Sequence, residues 1–303
     1  MKPSNALMTA AVITALAACA NPGNSTASEA PQTDVRDGYH PTTERQTPCE
    51  HPPVRPEWTG FHDRPVETCL GPNMFMIPMH YFYHQAGPDF QGSVGISLRW
   101  PDLEPLPPGA RHADDYFDKN MDYMVHVMVE YLDKVDIETR LTKDAHAQLR
   151  GSNPDDPRQS IGQRVRGEPK YQLTPYYVDL DKLRAHLKQR DIELGRPDRI
   201  WKHQRLLEIS DDWYIQQDDA GKVHTMIVCD NHLIPGDALV GETIVRAEGS
   251  ERMNQCRHDF VIEQYKLRFS ARYALSLLKD WQRVEAAIRD LFYRTHVKQE
   301  SGR

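Results

Sequence analysis

The 13 residues from Ala6 to Ala18 (ALMTAAVITALAA) carry no charge and no proline, and come after a single cation, Lys2. A helix that crosses a bilayer needs about 20 apolar residues, so this run is too short to span one. It has the length and flanks of the apolar core of a secretory signal, which is removed and adds nothing to the fold. Residues 1–18 are therefore expected to be a signal peptide, and the fold to be built from the residues beyond it. After Cys19 every long apolar run is broken by charges or prolines, and the mean hydropathy is −0.68.

The apolar run ends in Leu16-Ala17-Ala18-Cys19. Small residues before the cut suit narrow peptidase subsites, and the thiol offers an attachment point for a diacylglyceryl group. This segment resembles the lipobox of bacterial lipoproteins. The resemblance implies lipidation at Cys19 and anchoring by two or three acyl chains. Each buried CH₂ contributes ~0.8 kcal/mol, so two chains suffice for stable attachment. The next residue is Ala20, not Asp, a pattern that implies the outer membrane over the inner. The expected location is thus the bacterial envelope, lipid-anchored and facing the periplasm.

Four further cysteines remain: Cys49, Cys69, Cys229 and Cys256. An even number in an exported chain points to disulfides, because the periplasm is oxidising. Four cysteines allow three pairings, and nearness in sequence favours Cys49 with Cys69 and Cys229 with Cys256. Loops of that length contribute roughly 3 kcal/mol each in the chain-entropy account. No Cys/His spacing of the zinc type is present.

Residues 20–48 hold one aromatic side chain, one valine and three alanines. Such a stretch buries too little apolar surface to offset its ordering entropy. Residues 19–48 are therefore expected to be a lipidated, disordered tether, with a reach of roughly 30 Å. Removing Lys2 takes the formal charge from −7 to −8. Nucleic-acid binding calls for a basic patch or stripe, which this acidic chain does not display.

Residues 49–72 are proline-rich and read as irregular. Asn73–Gln85 and Ser93–Trp100 are β-prone runs around Ala86-Gly87-Pro88-Asp89, and predict a hairpin, with Pro78 marking an edge or bulge. Met121–Tyr131 alternates with period two, a half-buried strand. Residues 151–170 read as a long polar loop and a domain boundary, giving a β-rich domain over 49–160 and an α+β domain over 161–303. Asp179–Gln189 predicts a short helix. Trp213–Gln217 and Val223–Cys229 flank the turn Asp218-Asp219-Ala220-Gly221, and Asp259–Glu263 with Lys266–Tyr273 predict another hairpin. Ser276–Thr295 is an amphipathic helix with Leu278, Trp281, Val284, Ile288, Leu291 and Phe292 on one stripe. Antiparallel hairpins packed with helices point to the α+β class.

Catalytic motifs are absent from the sequence: no GxSxG, HExxH, P-loop or GxGxxG. His80 and His84, four apart in a β-prone run, could share a face and contribute to a metal site. His258 and Asp259 are adjacent, so in a strand they point to opposite faces and make a poor dyad. Asp122 and His126 could hydrogen-bond, but no nucleophile is tied to them. The residues imply no enzyme, no cofactor and no metal. A rigid, disulfide-stapled body on a lipid tether is the layout of a binding protein or an envelope component.

Trp100-Pro101-Asp102-Leu103-Glu104-Pro105 comes after the first predicted hairpin, and the C-terminal part carries Cys256–Phe260 (Cys-Arg-His-Asp-Phe), Leu277–Trp281 (Leu-Leu-Lys-Asp-Trp), Ile288 and Leu291-Phe292. With the exported tether, these segments, within residues 73–105 and 225–295, resemble immunity lipoproteins that neutralise toxic effectors delivered between bacteria by type VI or type IV secretion. The resemblance implies a periplasmic toxin partner, of the lipase or cell-wall hydrolase kind, and membrane contact through the lipid anchor alone. An acidic surface would steer a basic partner, and contact residues are expected at the hairpin tip: Trp213, Tyr214, Gln216, Gln217, Asp218, Asp219 and Lys222. The long loop 151–168 is a second candidate for insertion. The alternative reading is a structural or assembly lipoprotein of the envelope without a toxin partner; a hydrolase with a site built from scattered residues is a third.

Overall fold

Strand alternation decides the central layer. Val125, Val127 and Val129 of β4 (Met124–Tyr131) are buried on one face, while His126, Met128 and Glu130 project from the other. In a computed structural model, residue 49 and residues 62–84, 93–112, 121–248 and 253–298 are described. Cys19, the signal and tether segments, and the Ala86–Asp89 turn lie outside the described residues.

An eight-stranded antiparallel sheet runs in the order β3 (Ser93–Arg99), β4, β12 (Leu267–Ala274), β11 (Gln255–Ile262), β8 (Val223–Cys229), β7 (Asp212–Gln217), β6 (Thr174–Tyr177), β5 (Val165–Arg166), and β9 (Ala238–Val240) pairs with β10 (Thr243–Val245) in a separate hairpin. Residues 45–303 form one compact unit. The boundary expected near residue 160 falls within it: β3 and β4 precede that point, β5 to β8 come after it, and all belong to the same sheet. Cys229 and Cys256 are directly opposed partners on β8 and β11, and are joined by a disulfide; a second bridge joins Cys49 to Cys69.

Strand β2 (Asn73–Pro78) pairs with β1 (Pro65–Leu70), not with β3 as the hairpin expectation had it. The proline-rich stretch concealed β1, whose Pro65 stands at its first residue, where a missing N–H costs little. Gly71 makes the turn between them at φ +60°, and a Cβ there would run into the Tyr131 ring. After Pro78 the chain enters a 3₁₀ turn, Met79–Tyr81, and meets β3 through a bridge between Phe82 and Ile96.

Helix α4 (Trp281–Thr295) comes after a 3₁₀ stretch, Leu275–Asp280, and buries Trp281, Val284, Ile288, Leu291 and Phe292. These meet Val94, Ile96, Val127, Phe260, Phe269 and Tyr273 on the sheet. Phe75 brings the β1–β2 hairpin into the same core, edge-on to Phe292 at 5.2 Å. On the opposite face, α1 (Arg140–Ala145) sets Leu141 and Ala145 over Tyr176, Trp213, Ile215, Met226 and Val228. Between β6 and β7 the chain makes a helical excursion, α2 (Leu180–Glu193) and α3 (His203–Glu208), around its own small core of Val178, Leu183, Leu187 and Leu206. The molecule is thus an α+β protein: antiparallel hairpins packed with helices, including a C-terminal amphipathic one.

Candidate partner-binding surfaces

The β7–β8 hairpin forms where Asp218–Gly221 predicts its turn, but its residues divide. Trp213 and Tyr214 are buried, on opposite faces of the sheet. Trp213 lies under the Arg164 guanidinium, 3.8 Å from its ring centroid, and Tyr214 belongs to the α4 core. Gln216 is partly buried; Gln217, Asp218 and Asp219 are exposed, and Lys222 is half-exposed. The turn is knit by its own groups. Asp218 Oδ1 accepts the Lys222 N–H at 2.9 Å, its Oδ2 lies 3.3 Å from His224 Nε2, and Lys222 Nζ donates to Glu263 at 2.8 Å.

The loop 151–168 packs onto the sheet. Asp156 is buried against Arg158 at 2.6 Å, and Arg164 donates to the carbonyls of Arg158, Tyr176 and Asp211. Burial works against ionisation of Asp156, but the Arg158 contacts outweigh it and hold the carboxyl at about 2.

The groups weighed for chemistry are held in structural ties. His258 points into the α4 core, with Nε2 3.0 Å from Glu285 and Nδ1 3.2 Å from the Tyr273 hydroxyl. Asp259 points to the other face, toward Arg257 at 2.9 Å and Arg268 at 3.3 Å. Burial disfavours the Glu285 charge, yet His258 and Arg289 prevail and keep its pKa below the usual carboxylate range. Asp122 pairs with Arg246 at 2.8 Å and not with His126. His126 instead lies 3.1 Å from Ser97 Oγ; burial, then the Arg111 charge, pulls its pKa down to about 4. His80 lies within the 3₁₀ turn and His84 beyond it, so they do not share a strand face. Among the described residues no group of three or more His, Cys, Asp or Glu is gathered as a metal site.

Two features escape a reading of sequence alone. Asp212, one of a pair that looks like solvated turn acids, is fully buried and takes both the backbone N–H and Nδ1 of His232 at 2.7 Å. Burial raises its pKa despite that contact. The second is the end of α2 and the loop that joins it to α3. Ile192, Leu194 and Ile200 are 49%, 55% and 84% exposed there, whereas neighbouring Leu187 and Leu206 are buried. From Lys188 to Arg205 there are six Lys or Arg against three Asp or Glu, in a chain of net charge −7. That local charge reversal around unburied aliphatics is the signal a sequence reading could have used.

No protein-family model and no curated protein matches the sequence. An antiparallel α+β fold whose polar clusters serve as internal ties does, however, match a solved structure of the immunity class, proteins that accompany bacterial secretion systems. That structure is of Smlt3025, an immunity protein of the Stenotrophomonas maltophilia type IV secretion system. It is 32% identical to this chain with a TM-score of 0.67, and the match covers 78% of this chain and 95% of that one. The chain belongs to this family of secretion-system immunity proteins. The Trp100–Pro105 segment and the Trp281 helix that suggested the resemblance meet in the fold, where the Arg283 guanidinium stands 4.6 Å over the Trp100 ring.

Proposed function

We propose that this protein is an immunity lipoprotein that binds and neutralises a toxic secreted effector in the periplasm, without catalysis of its own. The observation that carries the reading is the 32% identity to a type IV immunity protein over 95% of that protein's length. Two cysteine pairs at disulfide distance support an oxidising compartment. Cys19 is the anchor in this reading, and the outer membrane its site. A tethered inhibitor is concentrated at the surface that a lipase or cell-wall hydrolase attacks. Of the residues expected to touch the effector, Gln217, Asp218, Asp219 and Lys222 at the β7–β8 turn are accessible and offer a polar contact; Trp213 and Tyr214 hold the strand in place.

The test is protection. Effectors of the producing cell's own secretion system are exported singly to the periplasm of a sensitive host, with and without this protein. One of them should kill in its absence and be tolerated in its presence. Cys19→Ala should abolish palmitate labelling and release the protein from membranes. Equal killing by every effector in both hosts would refute the immunity reading, and an unlabelled wild-type protein would refute the anchor.

A further inference from the structure

Helix α2 ends in a stop that sequence and geometry explain together. Gly195 takes φ +70°, its N–H donates to Ile192 O, and the Arg196 N–H reaches back to Asp191 O at 2.7 Å. This is the paired hydrogen bonding of a Schellman C-cap, which glycine permits, and Pro197 then prevents the helix from resuming. The returning loop is held from beneath. Asp191, 2% exposed, accepts the Trp201 indole N–H at 2.8 Å. Arg199 lies 3.9 Å from the other Asp191 oxygen and stacks 4.2 Å over the Trp201 ring. Trp201 in turn packs on the core of Val178, Leu183, Leu187 and Leu206.

A buried carboxylate with two side-chain partners orders this loop, and what the loop presents to water is apolar. Ile200, at 84% exposed, leaves nearly a whole isoleucine side chain in water, which burial against a partner would relieve. Leu194 and Ile192 are exposed in the same segment, together with the cations Arg196 and Lys202 and the carboxylates Glu193 and Asp198. Rigid aliphatic projections on a stretch with six cations against three anions, Lys188 to Arg205, fit an apolar pocket rimmed by carboxylates. A membrane surface would instead call for a broad amphipathic face, and the other large aliphatics of α2, Leu180, Leu183 and Leu187, belong to the small core beneath the tip.

We propose that the α2–α3 tip, Ile192 to Lys202 with Ile200 at its apex, is the principal anchor on the effector, inserted into an acidic-rimmed apolar pocket. This rests on the immunity reading and deepens it by naming the contact and the chemistry of its partner. Pre-ordering by Asp191 keeps the entropic cost of binding low, and clustered anchors dominate such interfaces.

The experiment uses the full chain and the effector identified by the protection assay, with calorimetric titration as readout. Ile200→Asp and the double variant R196E/K202E should each weaken binding by roughly 30-fold or more and lower protection in cells. Both change exposed side chains, and an unchanged melting temperature verifies folding. The double charge reversal remains decisive if Ile200→Asp proves unstable. Wild-type binding with both variants equally tight would overturn the tip as anchor while leaving the immunity reading intact. No effector protected would remove both. Binding of the wild type, and not of Ile200→Asp, to phosphatidylglycerol vesicles with effector affinity unaltered would assign the tip to the membrane and also overturn the proposal.

Discussion

The β7–β8 turn and the helical excursion that carries the α2–α3 tip adjoin opposite ends of one strand in the chain, and they spend their polar groups in opposite ways. The excursion feeds the first residue of β7, and the turn continues from its last. At the turn, carboxylates and a lysine face solvent and satisfy one another. At the tip, a carboxylate is buried so that aliphatic side chains stand in water. A surface turn needs only local hydrogen bonds to exist, and its charges keep it soluble. A loop that hides its polar tie and exposes isoleucine is stabilised for what it displays. The difference separates residues that close a hairpin from residues that await a partner.

The comparison breaks first if the excursion does not fold as a unit. Leu206 is fully buried in the small core beneath the tip. Leu206→Ala should destabilise by about 2–5 kcal/mol and raise amide exchange through residues 180–206, while the β7–β8 amides stay protected. Uniform exchange across both regions would mean that the tip has no separate support. Acid gives the complementary test. The folded pKa of His126, about 4, lies below the ordinary value of 6.5, so the unfolded chain binds the extra proton. Stability is then present above pH 6.5 and falls as pH drops toward 4, by on the order of 2–3 kcal/mol. His126→Asn should flatten that limb. His126 lies in β4, so the excursion and the turn should lose protection in step; melting of the excursion alone would uncouple it from the sheet.

A sharper cut removes the tie and keeps the contacts. Asp191→Ala leaves the Trp201 N–H without its acceptor, which costs about 1–3 kcal/mol. It should weaken effector binding several-fold although no contact residue changes, with greater loss of binding entropy in calorimetry. Affinity as tight as wild type would show that the loop needs no pre-ordering.

How much of the fold was legible in sequence depends on the reach of each signal. Period-two alternation revealed β4, and Asp218–Gly221 between two β-prone runs located the β7–β8 hairpin. The stripe of Trp281, Val284, Ile288, Leu291 and Phe292 gave α4. Each rests on neighbours within one or two turns. Strand β1 is hidden because proline dominates its surroundings, and the β-prone pattern pairs β2 with the strand after it instead of the one before. The expected boundary near residue 160 came from polar composition, which says nothing about hydrogen bonding between β4 and β12. Asp212 looked like its solvated neighbour Asp211, since only the distant His232 distinguishes them. The predicted helix ends at Gln189, about one turn before the last residue of α2, Glu193. Trp201 is ten residues from Asp191 and shares no period with it, so the tip's order was invisible while its anomalous charge was written plainly.

The smallest effect is expected at the turn, and it is the one that separates the two surfaces. Asp218 already binds the Lys222 N–H and His224, Gly221 donates to the Asp218 carbonyl at 3.0 Å, and Lys222 is engaged by Glu263. A partner that used these groups would first have to displace contacts of equal quality, and exposed ion pairs return little for that exchange. The double variant Asp218→Ala/Asp219→Ala, and Lys222→Ala separately, should therefore move the melting temperature by about 2 °C at most and effector affinity by less than about threefold. Calorimetric titration beside Ile200→Asp reads the contrast directly. A 30-fold loss at the turn with none at Ile200 would invert it: the self-satisfied carboxylates would then be the recognition elements, and the exposed aliphatics a feature of the free protein alone.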